Sequence, residues 1–253
     1  MSGHSKWSTI KRKKAATDAK RGKIFTRYLK EIQIAAKVGG GNPDANPRLR
    51  TAILGAKAQS VHNDNIERAI QRGTGELDGV DYEDFMYEGY GPGGAAILVK
   101  GVTDNKNRCA SEVRHAFTKC GGNLAGSNAV AYLFKEKGTI NVSKSGLSED
   151  KVFETALEAG ALDINDEGDT WEVLTTPQDF EGVKAALEKL GGSLEGEVRL
   201  VPDTYARVTG HQAESLVRLL EMLDDLDDVQ TVVSNFDMDE SEMEALNKNS
   251  SDV

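Results

Sequence analysis

Cysteine, long apolar runs and clustered histidines are all lacking in this chain, and each lack removes a class of protein. The two cysteines, Cys109 and Cys120, stand eleven apart without C-x-x-C spacing, which supports neither a disulfide framework nor a zinc site and suits a reducing compartment. They read as buried or incidental thiols. No apolar run approaches the length that spans a bilayer, and Met1 to Lys14 lacks the apolar core of a secretory signal, so a cytoplasmic protein without membrane contact is expected. His4, His62, His115 and His211 are dispersed, with no metal-ligand or triad spacing between them. Cys109 and His115, six residues apart on one helix, fall on roughly opposite faces and make a poor catalytic pair. Neither a nucleophile with its base nor a paired carboxylate is recognisable, so no catalytic residue, metal or cofactor is expected.

What is present is charge, unevenly distributed. The net charge is −10 over 253 residues, yet Met1 to Gly75 holds 16 Lys and Arg against 5 Asp and Glu, a balance of +11. The remainder holds 15 against 36, a balance of −21. Such a basic module on an acidic body concentrates attraction for phosphate at one end of the chain, while the body resists indiscriminate coating of a polyanion.

Residues 1–17 mix Ser, Gly and Lys without apolar periodicity and read as an arm. A helix is predicted from Asp18 to Val38, with Ile24, Phe25, Tyr28, Leu29, Ile32 and Ala36 on one stripe and Lys23, Arg27, Lys30 and Lys37 on another. A second opens with Asn46 as N-cap and Pro47 at N1, carrying Leu49, Ile53 and Ala56 inward. A third is announced by Asp64 with Glu67 three residues on, a carboxylate variant of the capping box, and is closed by Gly73. Beyond the acidic linker Glu76 to Asp84 the pattern changes. Met86 to Tyr90 and Ala95 to Val99 read as strands joined by Gly91-Pro92-Gly93-Gly94, a turn and not a phosphate loop, since the following Lys and helix are missing. A helix from Asn107 to Lys119 and a strand from Val130 to Phe134 follow. Residues 139–201 run strand, helix, strand, strand, helix, strand, the βαββαβ order of a ferredoxin-like unit. A helix from His211 to Leu223 and a strand from Val229 to Ser234 then complete the unit begun at Met86. The expected architecture is α+β and multi-domain: a basic three-helix domain (1–77), a discontinuous α/β domain (78–136 with 202–240), a ferredoxin-like domain inserted within it (137–201) and an acidic tail (241–253).

The candidate nucleic-acid contacts are Lys11, Arg12, Lys13, Lys14, Lys20, Arg21, Lys23, Arg27 and Lys30, a basic run almost unopposed by acid. Each that neutralises a phosphate releases condensed counterions, so binding through them falls steeply with salt. The plain alternative, a solvated helix face, explains most charge runs; the lack of opposing acid tips the balance toward binding. Trp7 with Lys6 beside it either stacks on an exposed base or packs the arm onto the helices, and packing is the simpler use. Arg48, Arg50, Lys57, Arg68 and Arg72 extend the basic character or serve helix solubility. Asp224, Asp225, Asp227 and Asp228 lack the spacing and central Gly of a calcium loop and read as a solvated connection.

Several long words carry a resemblance across nearly the whole chain: Gly3-His4-Ser5-Lys6-Trp7, Ala19-Lys20-Arg21-Gly22-Lys23-Ile24-Phe25, Asp64-Asn65-Ile66-Glu67-Arg68-Ala69-Ile70, Tyr87 to Gly94, Thr103 to Arg108 and Asp227-Asp228-Val229-Gln230. In these the sequence resembles the YebC/PmpR family. The resemblance implies a cytoplasmic protein with a helical N-terminal domain and two α/β domains, one inserted in the other. It also implies regulation of gene expression, either by binding DNA in transcription or by acting with the ribosome in translation, including on proline-rich stretches. The chain departs from the family at Val61-His62-Asn63, where a Pro is usual, and at Arg12, often a His. The expected function is therefore a non-enzymatic nucleic-acid-binding regulator with DNA or ribosomal RNA as partner. The acidic α/β domains are open to protein partners, and the rival of another class is a protein-interaction adaptor.

Overall fold

The computed structural model describes residues 18–239, with side chains from residue 22 onward. The acidic tail 241–253 lies outside them. The described part of the N-terminal region is three helices: α1 (Asp18–Gly39), α2 (Pro47–Ala58) and α3 (Asn63–Thr74). Ile32, Ala35 and Ala36 of α1 meet Leu49, Ala52 and Ala56 of α2 and Ile66 and Ala69 of α3 in one apolar core. Asn46 caps α2 as expected, its side chain accepting from the Leu49 N–H at 3.1 Å. Its amide also donates to the Ala35 and Gly40 carbonyls at 2.8 and 2.9 Å, so one residue starts α2 and ties down the end of α1.

The signals around α3 work differently from the sequence expectation. The helix opens two residues early, with His62 at the N-cap making no side-chain cap bond, and Asp64 sits in the first turn, where its charge favours the helix dipole. Its C-cap is Gly75, in the left-handed conformation at φ 82°. Gly73 lies inside the helix for another reason: a Cβ there would stand 2.3 Å from the Gln33 carbonyl oxygen, so glycine lets α3 lie directly on α1.

Next come β1 (Glu83–Tyr90), β2 (Ala96–Thr103), α4 (Lys106–Lys119) and a two-residue β3 (Asn123–Leu124). After the inserted segment follow β8 (Ala206–Arg207), α7 (Gly210–Asp224), β9 (Val229–Ser234) and β10 (Phe236–Asp237). The first sheet has the order β3-β1-β2-β9, so its last strand comes from the far side of the insertion, and β2 and β9 pair antiparallel. Strand β2 is buried on both faces. Ile97 and Val99 face the core shared with Phe117, Leu216, Leu219 and Leu220, while Ala96 and Leu98 pack on Val130, Phe134 and Val233. A strand covered on both sides reads as a continuous apolar run, as this one does. The turn from Pro92 to Gly94 joins β1 to β2. The short parallel pair β8–β10 carries no sequence signal at all.

Between the domains, the strand expected from Val130 is not formed before Phe134: Ala131–Leu133 is a 3₁₀ turn. The cause is Glu88, buried on β1, whose carboxylate accepts from the N–H groups of Asn128, Val130 and Ala131 at 2.6 to 2.7 Å. Donors spent on that carboxylate are not available to a sheet ladder. The inserted segment then gives β4 (Phe134–Ser143), α5 (Glu149–Glu158), β5 (Asp163–Asp166), β6 (Thr170–Thr175), α6 (Phe180–Glu188) and β7 (Leu194–Pro202). The sheet order β5-β6-β4-β7, antiparallel throughout, is that of the ferredoxin-like fold, with Ile140, Val152, Trp171, Val183 and Leu187 in its core. The chain is thus α+β, a helical region followed by two sheet-containing domains, one inserted in the other. Among the described residues no helix is long and apolar enough to cross a membrane.

Candidate nucleic-acid interface

Helix α1 is amphipathic over its first half but buried all round from Ile32 to Ala36. The reason is that two layers cover it. Its apolar stripe packs on α2 and α3, and its basic stripe, spaced three to four residues apart, faces the sheet domain and the linker.

Each cation of that stripe has an acidic partner. Lys23 donates to the Asp225 carbonyl and lies 3.7 and 3.9 Å from the carboxylates of Asp225 and Asp227. Arg27 donates to the Asp224 carbonyl and approaches its carboxylate at 3.4 Å. Lys30 Nζ donates to Asp228 Oδ1 at 2.8 Å and to the Asp227 carbonyl at 3.1 Å. Lys37 pairs with Asp81 of the linker. The acceptors include the end of α7, where helix carbonyls lack intrahelical partners and the macrodipole is negative, so α1 cations meet both carboxylates and a helix C-terminus.

Asp228 is the centre of this contact and only 3 % exposed. Its second oxygen accepts from Thr103 Oγ1 at 2.8 Å and from Arg108 at 2.7 Å. Gly101 permits this close approach, since a Cβ there would stand 2.0 Å from the Asp228 carbonyl oxygen. Burial works against the Asp228 charge, but the bonds from Lys30, Arg108 and Thr103 outweigh it and hold the carboxyl below the usual carboxylate range. The connection is therefore only in part the solvated one expected from the sequence: Asp225 and Asp227 are exposed, but Asp224 is largely covered and Asp228 is buried. A second bridge joins the same domains: Arg48 of α2 binds Glu31 at 2.6 Å and Asp84 of β1 at 2.8 Å, each through a pair of hydrogen bonds.

Of the residues expected to meet phosphate, Lys23, Arg27 and Lys30 come together on one stripe, but in this conformation they are ligated by the protein itself. Lys6, Trp7 and the run Lys11, Arg12, Lys13 and Lys14, like the side chains of Lys20 and Arg21, lie outside the described residues. Arg50 and Lys57 on α2, and Arg68 and Arg72 on α3, are exposed and make no ion pair with a described residue. The partners that sequence reasoning missed are Arg108 and Asp228. The signal was available: Thr103 to Arg108 and Asp227 to Gln230 are two of the segments that carry the family resemblance, and they meet at this point.

The remaining chemistry is sparse. Burial, with the nearby charges of Asp228 and Glu112, pushes the Cys109 thiol up to about 12, so it is neutral at physiological pH, and His115 is exposed on the same helix. Among the described residues no group of three or more His, Cys, Asp or Glu is placed to hold a metal ion.

These features define a class, a three-part α+β protein whose basic helical end is docked by ion pairs onto an acidic loop of a split sheet domain. The chain belongs to the TACO1/YebC family. Residues 5–76 match the model of the TACO1/YebC N-terminal domain, and residues 82–236 match that of the second and third domains. It is 54% identical over 247 residues to a probable transcriptional regulatory protein of Desulforapulum autotrophicum, covering 97% of this chain and all of that one. It is 57% identical over 239 residues to another, from Desulfatibacillum aliphaticivorans, covering 94% of this chain and 97% of the relative. Among solved structures, a conserved hypothetical protein of Aquifex aeolicus matches with a TM-score of 0.75 at 45% identity, covering 90% of this chain and 94% of the other.

Proposed function

We propose that this protein is a non-enzymatic regulator of gene expression that binds nucleic acid through phosphate contacts made by its basic N-terminal residues. The observation that carries the reading is the charge division: 16 basic against 5 acidic residues up to Gly75, on a chain of net charge −10. Part of that charge serves internal docking; the basic run Lys11 to Lys14 with Lys20 and Arg21, and the exposed Arg50, Lys57, Arg68 and Arg72, are the residues we assign to a polyanion. Regulation is supported by the relatives, which carry the name probable transcriptional regulatory protein. On that support the ligand is DNA and the process transcription.

A second reading, RNA on the ribosome, is favoured by one specific observation. From Lys23 onward the basic face of α1 is turned toward the sheet domain, so it is not presented as a helix entering a DNA major groove would be. Phosphate contacts from the remaining basic residues suit a folded RNA equally well. Crosslinking in cells followed by sequencing of the bound polymer decides between them. Recovery of promoter DNA supports the transcriptional reading, and enrichment of ribosomal RNA without promoter DNA supports the translational one. Recovery of neither, with a protein partner instead, refutes nucleic-acid binding and supports an adaptor.

A further inference from the structure

The basic stripe of α1 and the loop after α7 fit one another as a polycation fits a polyanion. Four aspartates in five residues present both carboxylates and main-chain carbonyls to Lys23, Arg27 and Lys30. These are the acceptors a phosphate backbone would offer the same cations: oxygens repeated at short intervals along one strand. The contact is graded. Asp225 and Asp227 are 77 % and 87 % exposed in their pairs with Lys23, whereas Asp228 is sealed beneath Lys30 and Arg108. The outer pairs are screened by salt and open to competition, and the inner one acts as a latch. The docking is also not packed to completion. Arg27 Nε and Gln230 Nε2 are buried without partners, and both residues line a cleft of about 390 Å³ where α1 meets the edge of β9. An interface that leaves two buried donors unsatisfied is less stable than one that pairs them.

We infer that residues 224–228 are a cis-acting mimic of nucleic-acid phosphate that occupies part of the phosphate-binding surface, so that loop and polymer compete for Lys23 and Arg27. The inference rests on the nucleic-acid reading above and adds its regulation. In the docked state only the remaining basic residues meet the polymer, with modest affinity. When the polymer displaces the outer aspartates, the stripe joins the contact surface and α1 loosens from the sheet domain. Weak, indiscriminate contact is thereby separated from committed binding by a step that a matching ligand drives.

The test compares the full chain with the variant Asp224→Asn/Asp225→Asn/Asp227→Asn, leaving the buried Asp228 in place. A control, Asp150→Asn/Glu154→Gln/Glu158→Gln, removes as many charges from α5 in the inserted domain. Affinity for a 20-base-pair DNA duplex and for an RNA hairpin is read by fluorescence anisotropy across a salt series. The loop variant is expected to bind about tenfold tighter than the control, with the log–log salt slope steeper by about two as Lys23 and Arg27 take up phosphates. A zero-length carbodiimide crosslink between Lys23 and Asp225 or Asp227 in the unaltered protein is expected to fall as either polymer saturates. If the unaltered protein binds while the loop variant behaves as the control and the crosslink persists at saturation, the mimic is refuted and the nucleic-acid reading stands. If neither polymer binds any form at low salt, both are refuted together.

Discussion

Asp228 shows how one side chain gathers three elements that all lie 120 or more residues before it in the sequence. Lys30 arrives from α1, Thr103 from the end of β2 and Arg108 from α4, and all three bond the two oxygens of one carboxylate. Removing it leaves Lys30 and Arg108 facing one another, so Asp228→Ala is expected to cost about 3 kcal/mol of stability, measured by urea unfolding at pH 7. The pH dependence has a definite sign. The folded carboxyl titrates below its ordinary value, so its contribution is complete above about pH 4 and is lost as pH falls through the depressed value. The stability gap between the unaltered protein and Asp228→Asn is expected to be widest at neutral pH and to narrow on acidification. A gap that is constant with pH would place the stabilisation in shape and not in charge. Glu88 follows the same logic in a smaller compass. Its carboxylate accepts three backbone N–H groups, and Glu88→Ala is expected to cost about 2 kcal/mol and to raise hydrogen exchange from Asn128 to Ala131.

The element scale separates what was legible in the sequence from what was not. The start of helix α2 could be read to the residue because its signals are local: Asn46 bonds the Leu49 N–H and Pro47 occupies a position needing no donor. Strand β9 was equally plain, a valine-rich segment from Val229 to Ser234 that follows an acidic loop. Misreadings fall where a distant residue decides. Gly73 looks like a helix stop but is a packing site, because the constraint comes from Gln33 on another helix. Val130 to Leu133 has strand composition, yet its donors go to Glu88, some forty residues back. The site was half visible in the same sense. The basic stripe follows from helical spacing, whereas its occupation by Asp224 to Asp228 depends on a fold that brings the chain back 197 residues later. A direct test at this scale is Gly73→Ala. Alanine is the better helix former by about 1 kcal/mol, yet the new methyl meets the Gln33 carbonyl. A net loss of about 2 kcal/mol is expected by thermal or urea unfolding, and a gain would mean that α1 and α3 separate at little cost.

At the scale of the whole molecule, the acidic excess and the basic end are parts of one arrangement. An acidic body limits indiscriminate polyanion binding, and its loop at 224–228 holds the basic helix in register by charge. The split of the first sheet by the insertion serves the same end. Strand β9 must return beside β2 to complete the sheet, and the loop leading into it is thereby delivered to α1. The internal docking and the proposed binding draw on neighbouring charges of a single helical module, which predicts that substitutions at the two sets have separable effects. Variants at Lys30 or Asp228 act first on stability, and variants in the basic run act first on affinity.

The most direct measurement is therefore made on the basic run proposed to meet phosphate. Lys11→Glu/Lys13→Glu/Lys14→Glu is compared with the unaltered chain for binding to duplex DNA and to RNA from low to moderate salt. If these lysines contact phosphate, affinity is expected to fall by at least about tenfold at low salt, and the slope of log affinity against log salt to flatten by about three, one for each phosphate no longer neutralised. Unchanged affinity and slope for both polymers, in a variant that unfolds at the same urea concentration as the unaltered chain, would contradict the account.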